Sequence, residues 1–546
     1  MRDYHEAARR FDLAEAFAAT LAGTPEALNA CIECCDRHAD AERVALVWEG
    51  RDGRREDWTF ARLKEASARF AHHLRERGIG PGDCVSGLLP RTPELLVTIL
   101  GTWRVGAVYQ PLFTAFGPKA IEHRLQCGQS RLVVVDTANR AKLDEVAQVP
   151  AILTVGAVEE GGCAFWKALE RQDTDFEPVM RRAEDPFLLM CTSGTTGLPK
   201  ALQVPLRAIL AFVGYMRDAV GLREDDRFWN LADPGWAYGL YYAVTGPLAM
   251  GHATTFFEGG FSVESTCRII RELGITNLAG SPTAFRLLLA AKEQVEPELK
   301  GRLRAVSSAG EPLTPEVIRW FAEGLGAPIH DHYGQTELGM VLCNHHELAH
   351  PVRIGAAGFA VPGHRVVVLD DAQRELPAGQ PGILAIDRAR SPLFWFPGYL
   401  GGTTRAFVGD YYLSGDTVEL SADGSIAFVG RSDDVITTSG YRVGPFDVES
   451  ALIEHPAVVE AAVIGKPCPE RTELVKAFVV LKPGHAGDAS LADALQQHVR
   501  KRLSAHAYPR EIEFVAELPK TPSGKIQRFL LRNQEIASAQ ARAAHP

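Results

Sequence analysis

The sequence lacks any apolar run long enough to cross a bilayer. Its most apolar stretches, such as ELLVTILGTW and RAILAFVGYM, are about ten residues long, whereas a membrane-spanning helix needs ~20 residues. The first residues, MRDYHEAARRFDLAEAF, mix acids with arginines and contain no apolar core of a signal peptide. We therefore expect a cytoplasmic protein that does not act at a membrane.

The sequence also has fewer positively charged than negatively charged residues. Lys and Arg total 58 against 68 Asp and Glu, which gives a formal net charge of −10. Such a chain has no general attraction for nucleic acid or for anionic lipid, so any anion must be held by a local site. Repeats and low-complexity tracts are missing too, and a hydrophobic content of 46% over 546 residues excludes a wholly disordered chain.

A disulfide framework is missing as well. The ten cysteines are scattered singly, apart from Cys31, Cys34 and Cys35 in CIECC, and this usage fits a reducing compartment. The cluster has no second Cys or His pair at zinc-like spacing. We expect it on a buried helix face, with metal ligation as the less favoured alternative.

What the sequence does contain is an alternation of helical and β-rich segments. FARLKEASARFAHHLRERG has apolar residues at helical spacing and stops at Gly78, while CVSGLL, AVYQPL and RLVVVD are short strand-like runs. This alternation predicts parallel sheets with helices on both faces, which bind ligands at the carboxyl ends of their strands. After about His350 the runs become β-rich around Pro/Gly turns, and a compact α+β unit of about 110 residues follows GRSDDVITTSGYRVGP.

The stretch CTSGTTGLPK is a candidate phosphate loop. PFLLMC predicts a buried strand before it, Gly194 and Gly197 let backbone amides approach an anion, and hydroxyls with Lys200 complete the cradle. The loop departs from the Walker A pattern, because Pro199 precedes the lysine and Ala201 follows it. From these residues alone, a phosphate loop and a plain polar turn are equally supported.

Further polar stretches lie in loop-like positions. They are AGEP at 309–312, DHYGQTELG at 331–339, YYLSGDTVEL with Asp416, GRSDDVITTSGYRVGP and PKTPSGKIQR. A carboxylate such as Asp416 after a small-residue turn can accept both hydroxyls of a ribose. Taken singly, each stretch also fits a turn or a solvated surface, so the information lies in their joint order.

In that order the stretches resemble the core motifs of the adenylate-forming superfamily, which includes acyl-CoA synthetases, peptide-synthetase adenylation domains and firefly luciferases. The resemblance runs from about Trp58 to Arg532 and is strongest to medium-chain acyl-CoA synthetases over SGYRVGPFDVESALIEHPAVVEAAVIGKP, VKAFVVLKPG and YPREIEFVAELPKTPSGKIQR. It implies an α/β fold. Residues 1–432 would form a large N-terminal domain of two doubly wound subdomains and a small β-barrel, and residues 433–546 a smaller mobile α+β domain with its hinge at Asp433.

The resemblance also implies the chemistry, with ATP, Mg²⁺ and coenzyme A as cofactors. A carboxylate attacks the α-phosphate of Mg-ATP to give an acyl-adenylate and pyrophosphate, and the thiol of CoA then displaces AMP. The first step brings two anions together, so positive charge and oriented amides must offset their repulsion in a dry site. No protein nucleophile is required.

Residue roles follow from the resemblance at matching positions. Lys525 would be the lysine of adenylation, with Thr336, Glu337 and Lys200 also catalytic, and Glu337 would bind Mg²⁺, which prefers oxygen ligands. The residues implied to hold ATP or CoA are Thr192, Ser193, Gly194, Thr195, Thr196, Gly197, Lys200, Gly310, Glu311, Pro312, Asp331, His332, Tyr333, Gly334, Gln335, Thr336, Asp416, Arg431, Arg442, Ser439, Gly440 and Arg500, with Lys501 as a further CoA contact.

The acyl pocket is implied at Trp236, Ala237, Tyr238, Ala309 and Gly334. Acetyl-CoA synthetases, which the chain also resembles, carry a tryptophan where this sequence has Gly334. We expect its loss to deepen the pocket and make acetate a poor substrate, since each buried methylene contributes ~0.8 kcal/mol. Straight, branched and aromatic acids of roughly four to ten carbons remain open.

Alternative functions are an acetyl- or propionyl-CoA synthetase and a stand-alone adenylation enzyme that loads a carrier protein. CoA is the favoured acceptor, because no carrier domain follows Lys525 in this sequence. A luciferase-like oxidase and a nucleotide-binding scaffold without catalysis are less favoured, the scaffold because the lysines, Glu337, Asp416 and Arg431 are all present. As partners we expect a carboxylic acid, ATP and CoA, with a homodimer and a lysine acyltransferase and deacylase acting on Lys525 as open alternatives.

Overall fold

Strands and helices alternate along most of the chain. The computed structural model describes residues 1–39, 42–157, 163–192, 199–402, 404–431, 434–438, 441–468, 472–503, 507–520 and 526–544. The strands are β1 (Arg2–Asp3), β2 (Val44–Glu49), β3 (Arg55–Thr59), β4 (Cys84–Leu88), β5 (Val108–Pro111), β6 (Leu132–Asp136), β7 (Ala151–Val155), β8 (Pro186–Cys191), β9 (Ala201–Pro205), β10 (Phe228–Asn230), β11 (Thr254–Phe257), β12 (Asn277–Gly280), β13 (Ala305–Ala309), β14 (Ile329–Gln335), β15 (Gly339–Cys343), β16 (Leu348–Ala349), β17 (Ala356–Ala360), β18 (Val366–Leu369), β19 (Pro381–Asp387), β20 (Phe407–Val408), β21 (Tyr411–Leu420), β22 (Ile426–Arg431), β23 (Ile436–Thr438), β24 (Tyr441–Val443), β25 (Val458–Cys468), β26 (Thr472–Leu481) and β27 (Glu511–Phe514).

The helices lie between and around these strands. They are α1 (Tyr4–Arg9), α2 (Leu13–Thr20), α3 (Ala30–Cys34), α4 (Phe60–Glu76), α5 (Pro93–Arg104), α6 (Pro118–Gly128), α7 (Phe165–Leu169), α8 (Ala208–Asp218), α9 (Ala237–Gly239), α10 (Gly246–Ala249), α11 (Val263–Leu273), α12 (Pro282–Ala290), α13 (Lys292–Leu299), α14 (Pro315–Trp320), α15 (Pro445–Ile453), α16 (Ala489–Arg502) and α17 (Arg528–Ala544). Short 3₁₀ helices span Asp36–His38, Arg140–Leu143 and Arg388–Arg390, and π-helical segments span Leu240–Thr245 and Phe321–Leu325.

The first sheet has the strand order β7-β6-β4-β5-β8-β9. All neighbouring pairs are parallel except β8 with β9. The three short runs predicted as strands are β4, β5 and β6, so this part of the prediction is confirmed. Helix α4 begins where the Thr59 hydroxyl accepts a hydrogen bond from the Arg62 N–H, and its apolar face lies in the core.

The second sheet joins parallel and antiparallel halves in one hydrogen-bonded array. Its order is β18-β19-β21-β22-β17-β15-β14-β13-β12-β10-β11-β2-β3, with β20 beside β21. Strands β2, β11, β10, β12, β13 and β14 pair in parallel, and pairing becomes antiparallel from β14 to β15 onward. The predicted β-rich region after His350 is this antiparallel half. A separate small barrel stays a prediction.

The C-terminal residues form their own sheet, with the order β24-β23-β26-β25 and β27 parallel to β26. Helices α15 and α16 cover an apolar core that includes Val448, Leu452, Val463 and Leu495, so the predicted α+β unit is confirmed. Strand β22 of the second sheet ends at residue 431 and β23 begins at residue 436, and the predicted boundary between 432 and 433 falls in this interval. No helix in the described part of the chain is long and apolar enough to span a membrane.

The cysteine cluster packs into the core, as predicted. Cys31, Cys34 and Cys35 are each fully buried, and the cluster lies beside a buried ion pair. Both Nη atoms of Arg104 donate to the Asp36 carboxylate, at 2.8 and 2.6 Å, and the arginine side chain is 1% exposed. This pair fixes α5 to the segment that follows α3.

Asp36→Ala is expected to destabilise the protein by about 3–5 kcal/mol, because it leaves the guanidinium of Arg104 buried without its carboxylate. The change should appear as a clear fall in the midpoint of thermal unfolding. Asp144→Ala is the matched control, since it removes an exposed pair with Arg140 that contributes at most about 1 kcal/mol. Equal midpoints for the two variants would contradict a stabilising role for the buried pair.

Candidate functional site

The candidate phosphate loop connects β8 to β9. Its ends are joined by a 2.9 Å hydrogen bond from the Thr192 N–H to the Lys200 carbonyl, and His123 Nε2 donates to the Pro199 carbonyl at 2.8 Å. Lys200 is exposed at a cavity of about 440 Å³, and its Nζ lies 4.9 Å from the centre of the Tyr399 ring. Ser193, Gly194, Thr195, Thr196 and Gly197 lie outside the described residues, so their phosphate contacts stay predictions.

Glu337 lies in the turn between β14 and β15. The residue is 9% exposed, and the Tyr399 hydroxyl donates to its Oε1 at 2.5 Å. One aromatic side chain therefore contacts both the lysine of the loop and the carboxylate predicted to bind Mg²⁺. Among residues 1–39 and the other described ranges, no cluster of three or more His, Cys, Asp or Glu side chains has a geometry that could hold a metal.

Two buried tyrosines hold the same turn in place. The Tyr241 hydroxyl donates to the Thr336 carbonyl at 3.1 Å, and the Tyr242 hydroxyl accepts from the Met340 N–H at 2.8 Å. Both belong to the π-helical segment, a feature that is common at functional sites. The sequence interpretation missed these two residues, because GLYYAVTG reads as an apolar core segment.

Asp416 is the centre of a second group of side chains. It is 3% exposed on β21, where Tyr333 donates to its Oδ2, Gln335 Nε2 donates to the same atom at 2.9 Å, and Arg431 Nη1 lies 3.2 Å from Oδ1. Burial, and after it the charge of Asp416, raises the pKa of Tyr333 well above its usual range. Tyr333 therefore stays neutral and keeps donating.

Gln335 is itself oriented by residues that the sequence interpretation missed. The Tyr412 hydroxyl donates to its Oε1 at 2.9 Å, and its Nε2 also contacts the Ser414 carbonyl at 2.9 Å. These contacts tie β14 to β21, so that residues over 70 positions apart share one network.

Strand β14 also carries His332 and Asp331. His332 Nε2 donates to the Asn344 carbonyl at 3.1 Å, so Nδ1 is the acceptor of the 2.8 Å bond from the Tyr215 hydroxyl. Burial, with His330 adding to it, lowers the pKa of His332 well below its usual range and keeps the ring neutral. Burial raises the pKa of Asp331 to about 8.

The AGEP stretch follows β13 at the carboxyl end of the parallel strands. Gly310 has a φ of +101°, which side-chain-bearing residues rarely adopt. Glu311 accepts from the Thr283 hydroxyl at 3.1 Å and from Arg286 Nη2 at 3.0 Å, which binds the loop to α12. Pro312 ends the stretch. The loop thus faces the same edge of the sheet as the β14–β15 turn, where ligands of such sheets bind.

Three of the predicted acyl-pocket residues, Trp236, Ala237 and Tyr238, lie at the start of α9. Trp236 packs against Phe113 and Phe116, with ring centres 5.3 and 5.2 Å away, and Ala237 begins the helix. The Tyr238 ring is 5.7 Å from that of Tyr242. Ala309 is 1% exposed at the end of β13.

Gly334 lies against the backbone of the opposite strand of its hairpin. A Cβ at this position would lie 2.2 Å from the Gly339 carbonyl oxygen and 2.8 Å from the Met340 Cα. The strand irregularity between Tyr333 and Gly334 brings the two sides of the hairpin this close. The backbone of β15 thus occupies the place of a Cβ at this position, and the expectation that Gly334 deepens the acyl pocket stays a prediction.

Near the domain boundary, α17 binds the segment that follows Asp433. Arg528 donates to Glu449 through Nε and Nη2 at 2.9 and 2.6 Å, and Arg532 Nη2 donates to Asp434 at 2.9 Å. Burial lowers the pKa of Arg528, but the carboxylates of Glu449, Asp434 and Glu311 outweigh it and raise the pKa above its usual value. The start of α17, three positions after Lys525, therefore lies near the AGEP loop.

Several predicted contacts of this region are not tested by the structure. Arg442 lies on β24 and pairs with Thr437 of β23, but its side chain is not described. The guanidinium of Arg500 lies 5.7 Å from the Tyr508 ring, and Lys501 is exposed beside it. Asp433, Ser439, Gly440 and Lys525 fall outside the described residues.

Comparison with known proteins adds family matches along most of the chain. A family model described as AMP-binding enzyme matches residues 33–400, and one described as AMP-binding enzyme C-terminal domain matches residues 447–525. The acetyl-coenzyme A synthetase of Bacillus subtilis (strain 168) is 37% identical over 556 residues, covering 98% of this chain and 96% of its own. The human mitochondrial acyl-coenzyme A synthetase ACSM5 is 34% identical over 508 residues, covering 90% and 86%.

Solved structures are similar over nearly the full length. A crystal structure of a Brucella canis acyl-CoA synthetase matches with a TM-score of 0.80 and 60% identity, over 99% of this chain and 100% of that one. The anthranilate CoA ligase AuaEII in complex with anthranoyl-AMP matches with a TM-score of 0.86 and 29% identity, over 95% and 99%.

Asp331→Asn is expected to change how stability depends on pH. Asp331 keeps its proton in the folded protein up to about pH 8, whereas its ordinary pKa is 3.8, so folding takes up a proton between these values. Stability then falls as the pH rises through this window, and an uncharged asparagine removes that contribution. The variant should melt at least about 2 °C above wild type at pH 8 and show no such gain at pH 4.

Thermal melts of both proteins from pH 4 to pH 9 measure this effect. Asp423→Asn is the control, because Asp423 is exposed and hydrogen bonds from Ser425 lower its pKa. Parallel profiles for wild type and Asp331→Asn would contradict the protonated state of Asp331.

Proposed function

Because the chain belongs to the family of AMP-binding enzymes and is an AMP-forming acyl-CoA synthetase, we propose that it activates a short- to medium-chain carboxylic acid and transfers it to CoA. The observation that carries the proposal is that Lys200, beside the first sheet, and Glu337 and Asp416, in the second sheet, are joined through neighbouring side chains. Tyr399 links the first two, and the β14–β15 hairpin links the second to the third.

The proposal assigns each part of the nucleotide to one group of residues. The Asp416 carboxylate, which has Arg431 and Tyr333 beside it, would accept the ribose hydroxyls, and Tyr333 would stack on the base. The phosphates would extend toward the loop between β8 and β9, where Lys200 would offset their charge. Glu337 suits Mg²⁺, since it offers a buried carboxylate in contact with Tyr399, which lines the cavity, and the cation would neutralise phosphate charge.

The remaining steps of the proposal involve residues whose roles come from the family resemblance. Lys525 would neutralise charge between the substrate carboxylate and the α-phosphate, and its acylation would remove that charge. Rotation of the C-terminal domain at Asp433 would then open a route for CoA along Ser439 and Gly440 toward Arg500, with Arg442 approaching the phosphates in one conformation.

The acyl substrate is the finer part of the proposal. The resemblance to medium-chain acyl-CoA synthetases over the C-terminal stretches favours longer acids. The Bacillus relative is named an acetyl-coenzyme A synthetase, and the anthranilate ligase acts on an aromatic acid, so both stay alternatives. Transfer of the acyl group to a carrier protein in place of CoA is the third alternative.

CoA-dependent AMP formation across straight, branched and aromatic acids from C2 to C12 tests the proposal. Butanoate to decanoate should exceed acetate in kcat/KM by at least about tenfold, because two further buried methylenes contribute ~0.8 kcal/mol each. A maximum at acetate would favour the acetyl-CoA synthetase alternative. Adenylate formation without CoA transfer would favour the carrier-loading enzyme.

Lys525→Ala is expected to lower acid-dependent pyrophosphate release by about 10²–10³-fold, because it removes positive charge from the reacting centre. Thioester formation from supplied acyl-adenylate and CoA should persist. Lys520→Ala is the control, since Lys520 is bound to Glu460 on the surface. Equal loss of both half-reactions in Lys525→Ala would contradict the assignment.

A further inference from the structure

Tyr399 is held next to the phosphate loop by its backbone. Leu202 and Tyr399 form an isolated antiparallel bridge, and the Leu400 N–H donates to the Ala201 carbonyl at 2.8 Å. The Tyr399 N–H donates to the Thr404 hydroxyl at 3.0 Å. The tyrosine is therefore attached to β9 at the residues that directly follow Lys200.

The Tyr399 side chain makes two polar contacts from this position. Its hydroxyl donates to Glu337 Oε1 at 2.5 Å, and its ring face lies 4.9 Å from Lys200 Nζ. A tyrosine hydroxyl carries its proton at neutral pH, so it is the donor to the carboxylate in this hydrogen bond. The ring itself packs edge-on against Phe396, with centres 5.1 Å apart.

We propose that Tyr399 is a positioning residue for the metal-bound triphosphate, a role that rests on the proposed function. By holding Oε1 of Glu337, the hydroxyl turns the other carboxylate oxygen, Oε2, toward the cation. By supporting the ammonium of Lys200, the ring keeps this ammonium at the cavity that Lys200 and Tyr399 both line. Oε2 accepts no hydrogen bond from the described part of the chain and remains available as a ligand.

The Glu337 carboxylate, with the Tyr399 hydroxyl beside it, fits Mg²⁺, the cation that the family resemblance implies. Mg²⁺ is usually bound by one or two carboxylates together with substrate phosphates and several waters. Carboxylate ligands are oriented by hydrogen bonds from neighbouring side chains, and loss of such a neighbour typically weakens metal binding 10- to 100-fold. Tyr399 is the neighbour of that kind for Glu337.

Two substitutions distinguish the effect of the Tyr399 hydroxyl from the effect of its ring. Tyr399→Phe keeps the aromatic face and removes the hydrogen bond, so the affinity of the enzyme–ATP complex for Mn²⁺ should fall about 10- to 100-fold. ATP binding with EDTA should stay unchanged in this variant. Tyr399→Leu removes both contacts and should also weaken metal-free ATP binding about two- to fivefold.

Binding is measured without turnover. Electron paramagnetic resonance of free Mn²⁺ gives the metal affinity at saturating ATP, and equilibrium dialysis in EDTA gives the metal-free affinity for ATP. The EDTA arm also reports whether the variant site is folded. Tyr411→Phe is the matched control, because it removes a 3.0 Å hydrogen bond from a tyrosine to Glu375 on the surface.

The outcomes distinguish this inference from the proposed function. Unchanged Mn²⁺ affinity in Tyr399→Phe, with a wild type that binds Mn²⁺ and ATP, would overturn the role of Tyr399 alone. An equal loss of ATP binding with metal and with EDTA would overturn it too, since the tyrosine would then act only on the fold of the loop. A wild type that binds no ATP in either arm would contradict the proposed function itself.

Discussion

The hairpin of β14 and β15 is the constraint on which the site depends. Its first strand is the last parallel strand of the second sheet, and its second strand starts the antiparallel half. The turn between them therefore lies at the carboxyl edge of the parallel strands and also next to β21. The hydroxyls of Tyr241 and Tyr242 bind the backbone of this hairpin, and the side chains of Tyr333 and Gln335 on its first strand donate to Asp416.

Charge is distributed unevenly around this hairpin. Asp416 has Arg431 beside it, and Glu337 accepts from a tyrosine. Behind them, His332 is kept neutral by burial, and Asp331 keeps its proton. Burial thus removes charge from His332 and Asp331, while the buried carboxylate of Asp416 has an arginine beside it.

Sequence reasoning predicted the elements with strong periodicity and the residues with unusual order. The runs CVSGLL and RLVVVD became strands because β-branched residues in short buried runs have few other stable arrangements. The joint order of the polar stretches indicated Asp416, Glu337 and Lys200, and the network joins them. The finer assignments near Lys525 stay predictions.

The tyrosines could not be predicted in the same way. Tyr241 and Tyr242 sit in an apolar run, where an aromatic residue is usually only core, and their role depends on a π-helical turn that no periodicity reveals. The glycine before Tyr399 was the signal in the sequence, and in the structure this Gly398 has a φ of +116°, which other residues rarely adopt. The close backbone approach at Gly334 could not be predicted either, since strand register across an irregular hairpin is invisible in one sequence.

The close approach of Gly334 and Gly339 has a consequence for altering substrate range. Gly339 has a φ of +66°, and a Cβ added there would meet the Tyr242 hydroxyl at 2.7 Å, so both sides of the hairpin are closed to larger residues. Larger residues at 334 alone would require the hairpin to shift, and such overpacking typically costs about 1–3 kcal/mol. A library that varies 334, 339 and 242 together treats the hairpin and its tyrosine support as one exchangeable unit.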